Sequence, residues 1–298
     1  MTGPTPPDSS APSPGQSRAR DVGEVLWVSL GLGLTAFGGP VAHLAWFERT
    51  YVQRRGWLSA DHYASLVALC QALPGPASSQ VGFLIGLHRA GGWGALAAWF
   101  GFPLPSALLL LAAAIWAGSL DPALAAPLVH GLKLVAVIVV AQALLHMGRR
   151  LCTDAPTRTL AVLSALWVLA AAGPAAQLAV LALGATAGAV SGARPVAIAA
   201  LPATAVTAGM AWKLLALFLL LLCGLPLAAH LMPGSAVELA DAFYRAGALV
   251  FGGGHVVLPL LHEVTVAPGR VTEDAFLTGY GLAQAVPGPL FTFAAYLG

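Results

Sequence analysis

Two copies of one short motif carry the chemistry open to this sequence. Gln71-Ala72-Leu73-Pro74-Gly75-Pro76 and Gln284-Ala285-Val286-Pro287-Gly288-Pro289 each set an amide side chain just ahead of a Pro-Gly-Pro break. A second break lies upstream of each, Phe37-Gly38-Gly39-Pro40 and Phe251-Gly252-Gly253-Gly254. Proline removes a helical N–H and clashes with the preceding turn, and glycine permits backbone geometry that other residues resist. A half-helix that restarts after such a break presents unpaired N–H groups and about half a positive charge at its first turn. Helices starting after Pro40, Gly254, Pro76 and Pro289 would aim four such ends inward. Pro76 and Pro289 suit the first helical position, where a missing N–H is not needed. The ligand these ends favour is an anion.

Side chains near the breaks extend the argument. Gln71 and Gln284 can donate to an oxyanion without fixing a charge, or can complete an interior hydrogen-bond network. Ser78, Ser79 and Gln80 follow the first Pro-Gly-Pro, whereas Phe291, Thr292 and Phe293 keep a single hydroxyl. The expected site is therefore asymmetric, with its polar side from the first half. His43 and His255 follow the two Phe-Gly-Gly breaks and can carry a proton, hold an anion when charged, or serve as hydrogen-bonded structure. Arg245 lies in an apolar helix, where an arginine offers an oxyanion two parallel donors or pairs with Asp241 one turn earlier. Lys133, with His130 one turn before it, must face a cavity or a carboxylate. Glu24 and Glu238 stand at helix starts, where a carboxylate suits the dipole or takes part in proton coupling. Arg54 and Arg55 are topology anchors or an anion funnel.

These residues must be positioned by elements of an unusual kind. Only 26 of the 298 residues are charged, 9% against about 25% in soluble chains, and 58% are hydrophobic. The mean hydropathy is +0.81. The expected fold class is all-α, a polytopic helical membrane protein. A net charge of +2 builds no basic face, which excludes a nucleic-acid partner, and the composition excludes a disordered chain. A spanning helix needs about 20 apolar residues. Residues 91–117 and 123–146 meet that length, residues 159–193 hold two shorter spans divided at Gly173-Pro174, and residues 195–231 make one or two crossings. Residues 22–52 and 59–88 instead hold apolar pieces of about 14–17 residues separated by the breaks, too short to span singly. They read as broken or re-entrant helices, whose irregular backbone survives at membrane depth only where protein or a wet cavity covers it.

If each broken pair returns to its starting side, Arg18, Arg20, Arg49, Arg54, Arg55, Arg89, Arg149, Arg150, Arg158 and Arg194 share one face. The positive-inside rule makes that face, and the N-terminus, cytoplasmic. The breaks belong to an internal repeat. Segment 24–40 aligns with 238–254, and 58–76 aligns with 271–289, matching Glu24 to Glu238, Gly33 to Gly247 and Asp61 to Asp274. Ser59 and Thr272 both stand where an N-cap is expected. Repeated halves with interrupted segments at corresponding positions point to the binding site of a secondary transporter. The weaker basic count around Arg270 favours an inverted orientation for the second half. The expected organisation is a disordered Pro/Ser-rich tail (1–21), a first transporter repeat (22–193), a linker with one or two membrane segments (194–237) and the start of a second repeat (238–298). The second repeat reads as incomplete, because nine residues follow Pro289 whereas more than 100 follow Pro76 in the first half.

Other classes find little support. Cys70, Cys152 and Cys223 are far apart and show no ligand spacing, so neither a metal site nor any other cofactor is expected. The tail lacks the apolar core of a signal peptide. The chain holds no HExxH, GxSxG or paired carboxylates, so it does not read as an enzyme.

The motifs together resemble the chromate transporter (CHR) family. FGGPVAHLAWFERTYVQRRGWLS at 37–59 and QALPGPASSQ at 71–80 look like its N-terminal half. FGGGHVVLPLL at 251–261 and GYGLAQAVPGPLFTFAAYLG at 279–298 look like its C-terminal half. The resemblance covers about residues 22–298. It implies two homologous halves of opposite orientation in the bacterial inner membrane, and efflux of chromate that confers resistance. The implied partners are a chromate or sulfate oxyanion, the lipid bilayer, protons as coupling ion, and a second copy of the chain in a homodimer. An anion channel and a fragment inactive by itself stay open as alternatives.

Overall fold

In the computed structural model, residues 14–117, 122–171, 174–191, 206–250 and 257–298 are described, and among them every regular element is helical. α1 (Pro14–Thr35) runs to the first break. α2 (Gly39–Phe47) follows it and continues into a π-helical turn, Glu48–Arg54. α3 (Ala60–Ala72) ends at Pro74-Gly75-Pro76, and α4 (Ala77–Gly101) begins after it. α5 (Leu104–Ala117), α6 (Pro122–Leu151), α7 (Ala155–Ala170), α8 (Pro174–Val190) and α9 (Ala208–Leu231) complete the middle of the chain. α10 (Ala236–Ala248), α11 (Val257–Thr265) and α12 (Glu273–Ala285) lead to the last break, a 3-10 turn (Leu290–Phe293) and α13 (Ala294–Leu297).

Two boundaries differ from expectation. α1 begins at Pro14 rather than near Val22, so residues 14–21 are helical. The extension has a partner: Asp21 accepts from Arg89 Nη2 at 2.9 Å. The span expected from residue 91 is joined to the helix before it through a reversal inside α4, where Ala90 and Gly91 leave helical geometry. Gly86 and Gly94 meet back to back across that turn, each lying where the other's Cβ would collide with a carbonyl. The two arms of α4 thus pack backbone against backbone.

Two pairs of corresponding helices match in length. α3 and α12 both have 13 residues, and α2 and α11 both have nine. Ser59 Oγ accepts from the His62 N–H at 3.3 Å, and Thr272 Oγ1 from the Ala275 N–H at 3.2 Å, the expected N-caps. At 1.5 Å per residue each of these 13-residue helices covers about 20 Å, short of the roughly 30 Å apolar core of a bilayer. Each half also has its own core. One gathers Phe47, Tyr51, Cys70, Ile85 and Phe102; the other gathers Val250, Val257, Phe276, Tyr280 and Phe293.

From the Arg89 end, the chain passes Phe102 in the first core, then Ser106 beside Gly288, then Leu110 in the second core. α5 to α9 present leucine, isoleucine, valine and tryptophan outward, among them Ile138, Leu169, Trp212 and Leu220. A surface of that kind is stable against lipid and not against water. α9, with 24 residues and hardly any burial, is long and apolar enough to cross a membrane.

Candidate functional site at the crossed breaks

The first Pro-Gly-Pro break is built from extended backbone. Leu73 leaves the helix at φ −86°, ψ 150°, and Gly75 takes φ 118°, a region that resists side chains. Pro76 caps α4 rather than occupying its first turn, which corrects the expected position. At ψ 92° it is still extended, and its carbonyl accepts the first helical bond, from the Gln80 N–H at 2.9 Å. The N–H groups of Ala77, Ser78 and Ser79 are left without an intrahelical acceptor. Ser78 is buried and Ser79 half-buried.

Gln80 proves to be a clasp. Its Nε2 donates to the Pro74 carbonyl at 2.7 Å, satisfying a group freed by the end of α3, and Gly75 makes room for it. That donor is spent inside the protein, so the expected role of Gln80 as an anion donor is not what this arrangement provides. Its buried Oε1 finds no partner among the described residues.

The second break repeats the backbone path. Val286 is extended at φ −92°, ψ 139°, and Gly288 has φ 111°. Pro289 likewise caps the next element, here a 3-10 turn rather than an α-helix. Thr292 Oγ1 donates to the Pro289 carbonyl at 2.7 Å, so this hydroxyl is committed.

The breaks cross between halves. The Gly75 N–H donates to the Val250 carbonyl at 2.7 Å, and the Gly288 N–H donates to the Ala36 carbonyl at 3.0 Å. Ala36 and Val250 hold equivalent places, each just before Phe-Gly-Gly. Each Pro-Gly-Pro is thus pinned to the other half's glycine break by the same bond. Ser106, buried and donating to Pro103 at 3.0 Å, borders Gly288.

The remaining expected residues divide. Gly38 and Gly39 take φ 100° and 75°, and α2 begins at Gly39, so Pro40 lies in its first turn rather than ahead of it as expected. His43 is 1% exposed, and neither ring nitrogen finds a partner among the described residues. Its ring stands edge-on to Phe102 with centroids 5.3 Å apart. Gln71 is exposed at the end of α3, whereas Gln284 Nε2 donates to the Tyr280 hydroxyl at 2.7 Å. Pro74 and Pro287 are half-buried. Lys133 pairs with Asp274 at 2.6 Å, tying α6 to the capped end of α12. Arg245 pairs with Asp241 at 2.5 Å, the alternative read beside the oxyanion role, and the other Asp241 oxygen is buried without a partner among the described residues. Gly252, Gly253, Gly254 and His255 lie outside the described residues.

Sequence reasoning missed Ser106, Tyr280 and the two carbonyl acceptors. The aligned positions of Ala36 and Val250 were a usable signal for the last pair.

The sequence profile described as chromate transporter matches residues 23–189 and 237–298, both halves up to the described crossing and beyond it. The chain belongs to the chromate transporter family. Family membership makes it an integral membrane protein. A chromate transport protein of Pseudomonas aeruginosa is 28% identical over 276 residues, covering 90% of this chain and 64% of the relative. A probable chromate transport protein of Synechococcus elongatus is 26% identical over 273 residues, covering 90% and 66%. A chromate transport protein of Cupriavidus metallidurans is 33% identical over 113 residues, 38% of this chain and 28% of the relative. The chain thus spans about two thirds of the length of the first two relatives. No solved structure matches it.

Proposed function

We propose that this chain carries the chromate-translocating crossing of a secondary transporter that exports chromate across the bacterial inner membrane and so confers resistance. The observation that carries the reading is the reciprocal pair of hydrogen bonds, Gly75 to Val250 and Gly288 to Ala36. It sets two broken helices from inverted halves against each other, the arrangement in which transporters of this kind place their substrate. The donors assigned to the oxyanion are the N–H groups of Ala77, Ser78 and Ser79 with the two serine hydroxyls, supported from the first half by Gln71. His43, buried beside the Ala36 carbonyl, is assigned to proton coupling. Sulfate has the same shape and charge as chromate and is the alternative cargo. The arginine-rich face and the N-terminus are cytoplasmic in this reading.

The test is chromate accumulation by everted vesicles containing the complete gene product, with and without an imposed proton gradient. Uphill accumulation that collapses with the gradient supports secondary transport. Flux that only runs downhill replaces it with an anion channel. Ser78→Ala combined with Ser79→Ala is expected to raise the half-saturating chromate concentration more than about a hundredfold, since two lost hydrogen bonds to a charged group at roughly 1.5–3 kcal/mol each remove about 3–6 kcal/mol.

A further inference from the structure

Away from the breaks, the middle of α1 and the turn of α4 border an open cavity of about 370 Å³. Its polar lining is Glu24, Arg55, His88 and Arg89, and its aromatic wall is Trp57. The two guanidinium groups take the same carboxylate from two sides. Arg55 Nη1 meets Glu24 Oε1 at 2.5 Å, and Arg89 Nη2 meets Glu24 Oε2 at 3.2 Å. Both guanidinium carbons also lie over the Trp57 ring, 5.6 and 5.5 Å from its centre. Trp57 is held in turn by stacking on Tyr51 at 5.1 Å.

Two arginines converging on one pair of oxygens is the geometry that binds an oxyanion. We infer that this cavity is an oxyanion-loading site in which the Glu24 carboxylate is the resident competitor, displaced when a tetrahedral oxyanion arrives. The second half supplies a contrast. Its equivalent glutamate, Glu238, is held by Arg270 and by the Gly234 N–H at 2.9 Å. In the alignment Trp57 corresponds to Arg270 and Arg55 to Pro268, so Arg55 and the aromatic wall belong to the first half. The tryptophan wall and the open volume at Glu24 exceed what holding a carboxylate requires. Position agrees: α1 leads from Glu24 to Ala36 at the crossing, about 18 Å along a helix.

The inference concerns binding at the cavity and stands whether or not the proposed coupling is right. The test is a sulfate titration of the purified protein in detergent, read by tryptophan fluorescence and compared with Trp57→Phe. A saturable signal that Trp57→Phe abolishes is expected. Glu24→Gln removes the carboxylate that bridges the two arginines, leaving Asp21 on Arg89 at 2.9 Å, and is expected to lower the half-saturating sulfate concentration roughly tenfold, as the loss of two exposed ion pairs predicts. Misfolding cannot imitate that gain. Arg55→Gln with Arg89→Gln is expected to abolish the signal in a variant that stays monodisperse. Unchanged sulfate affinity in Glu24→Gln would overturn the inference. The same titration in nanodiscs with and without phosphatidylglycerol separates a free oxyanion from a lipid headgroup, and a response to the lipid alone would also overturn it. Sulfate binding here without vesicle transport would defeat the proposed function and leave the loading site standing.

Discussion

Gly288→Ala tests the crossing where its geometry is tightest. A Cβ there would lie 2.6 Å from Ser106 Oγ, 2.9 Å from Ser106 Cβ and 3.3 Å from the Gly33 carbonyl, at φ 111°. The dihedral alone costs about 1–3 kcal/mol for alanine, and forcing a methyl into filled space adds roughly 1–3 kcal/mol. The expected loss is about 2–5 kcal/mol. Gly75→Ala is the control, because φ is 118° but the Cβ would meet only the movable end of Gln80, 2.6 Å away. It carries the same strain plus the release of one hydrogen bond, about 0.5–1.5 kcal/mol. The assay is thermal unfolding of the detergent-purified protein in a double-mutant cycle with Ser106→Gly. A coupling energy of about 1–2 kcal/mol between positions 288 and 106 is expected, and none between 75 and 106. If Gly288→Ala lies within about 0.5 kcal/mol of the parent, or shows no coupling to Ser106, the packing argument for the crossing is wrong.

Other outcomes follow from local contacts. Gln80→Ala leaves the Pro74 carbonyl unpaired and is expected to cost about 1–3 kcal/mol, with Gln80→Glu failing to rescue it in unfolding measurements because a carboxylate cannot donate. Lys133→Ala and Asp274→Ala are each expected to cost about 0.2–1 kcal/mol, and the double variant no more than the worse single one, in a cycle read by unfolding midpoint. Asp154 caps α7, and hydrogen bonds from the Thr157 hydroxyl and N–H hold its carboxyl below the usual carboxylate range. Its contribution is therefore present above about pH 4 and fades as pH falls through the lowered value, so Asp154→Ala should flatten the acid limb of the stability profile.

Much of this architecture was legible because it rests on residue types with few uses at membrane depth. Pro74-Gly75-Pro76 and its copy announce interrupted helices wherever they occur, and Ser59 and Thr272 announce the helices that lead into them. What escaped depends on partners rather than types. Ala36 and Val250 act through carbonyls that every residue owns, so only the repeat alignment could have singled them out. Gln80 has an amide that serves a ligand or its own backbone equally well, and the choice follows from Gly75, five residues earlier, leaving space for it. Lys133 demanded a carboxylate, but that it would be Asp274, from the other half, is a long-range fact of packing between α6 and α12. The start of α1 at Pro14 was hidden because residues 14–21 have a tail's composition, and what the helix gains there is the pairing of Asp21 with Arg89.

The two hydrogen bonds at the crossing have a mechanical meaning. Each joins a backbone N–H of one half to a backbone carbonyl of the other, so replacing a side chain removes neither bond unless the chain itself moves. Separating the halves has to break both bonds together.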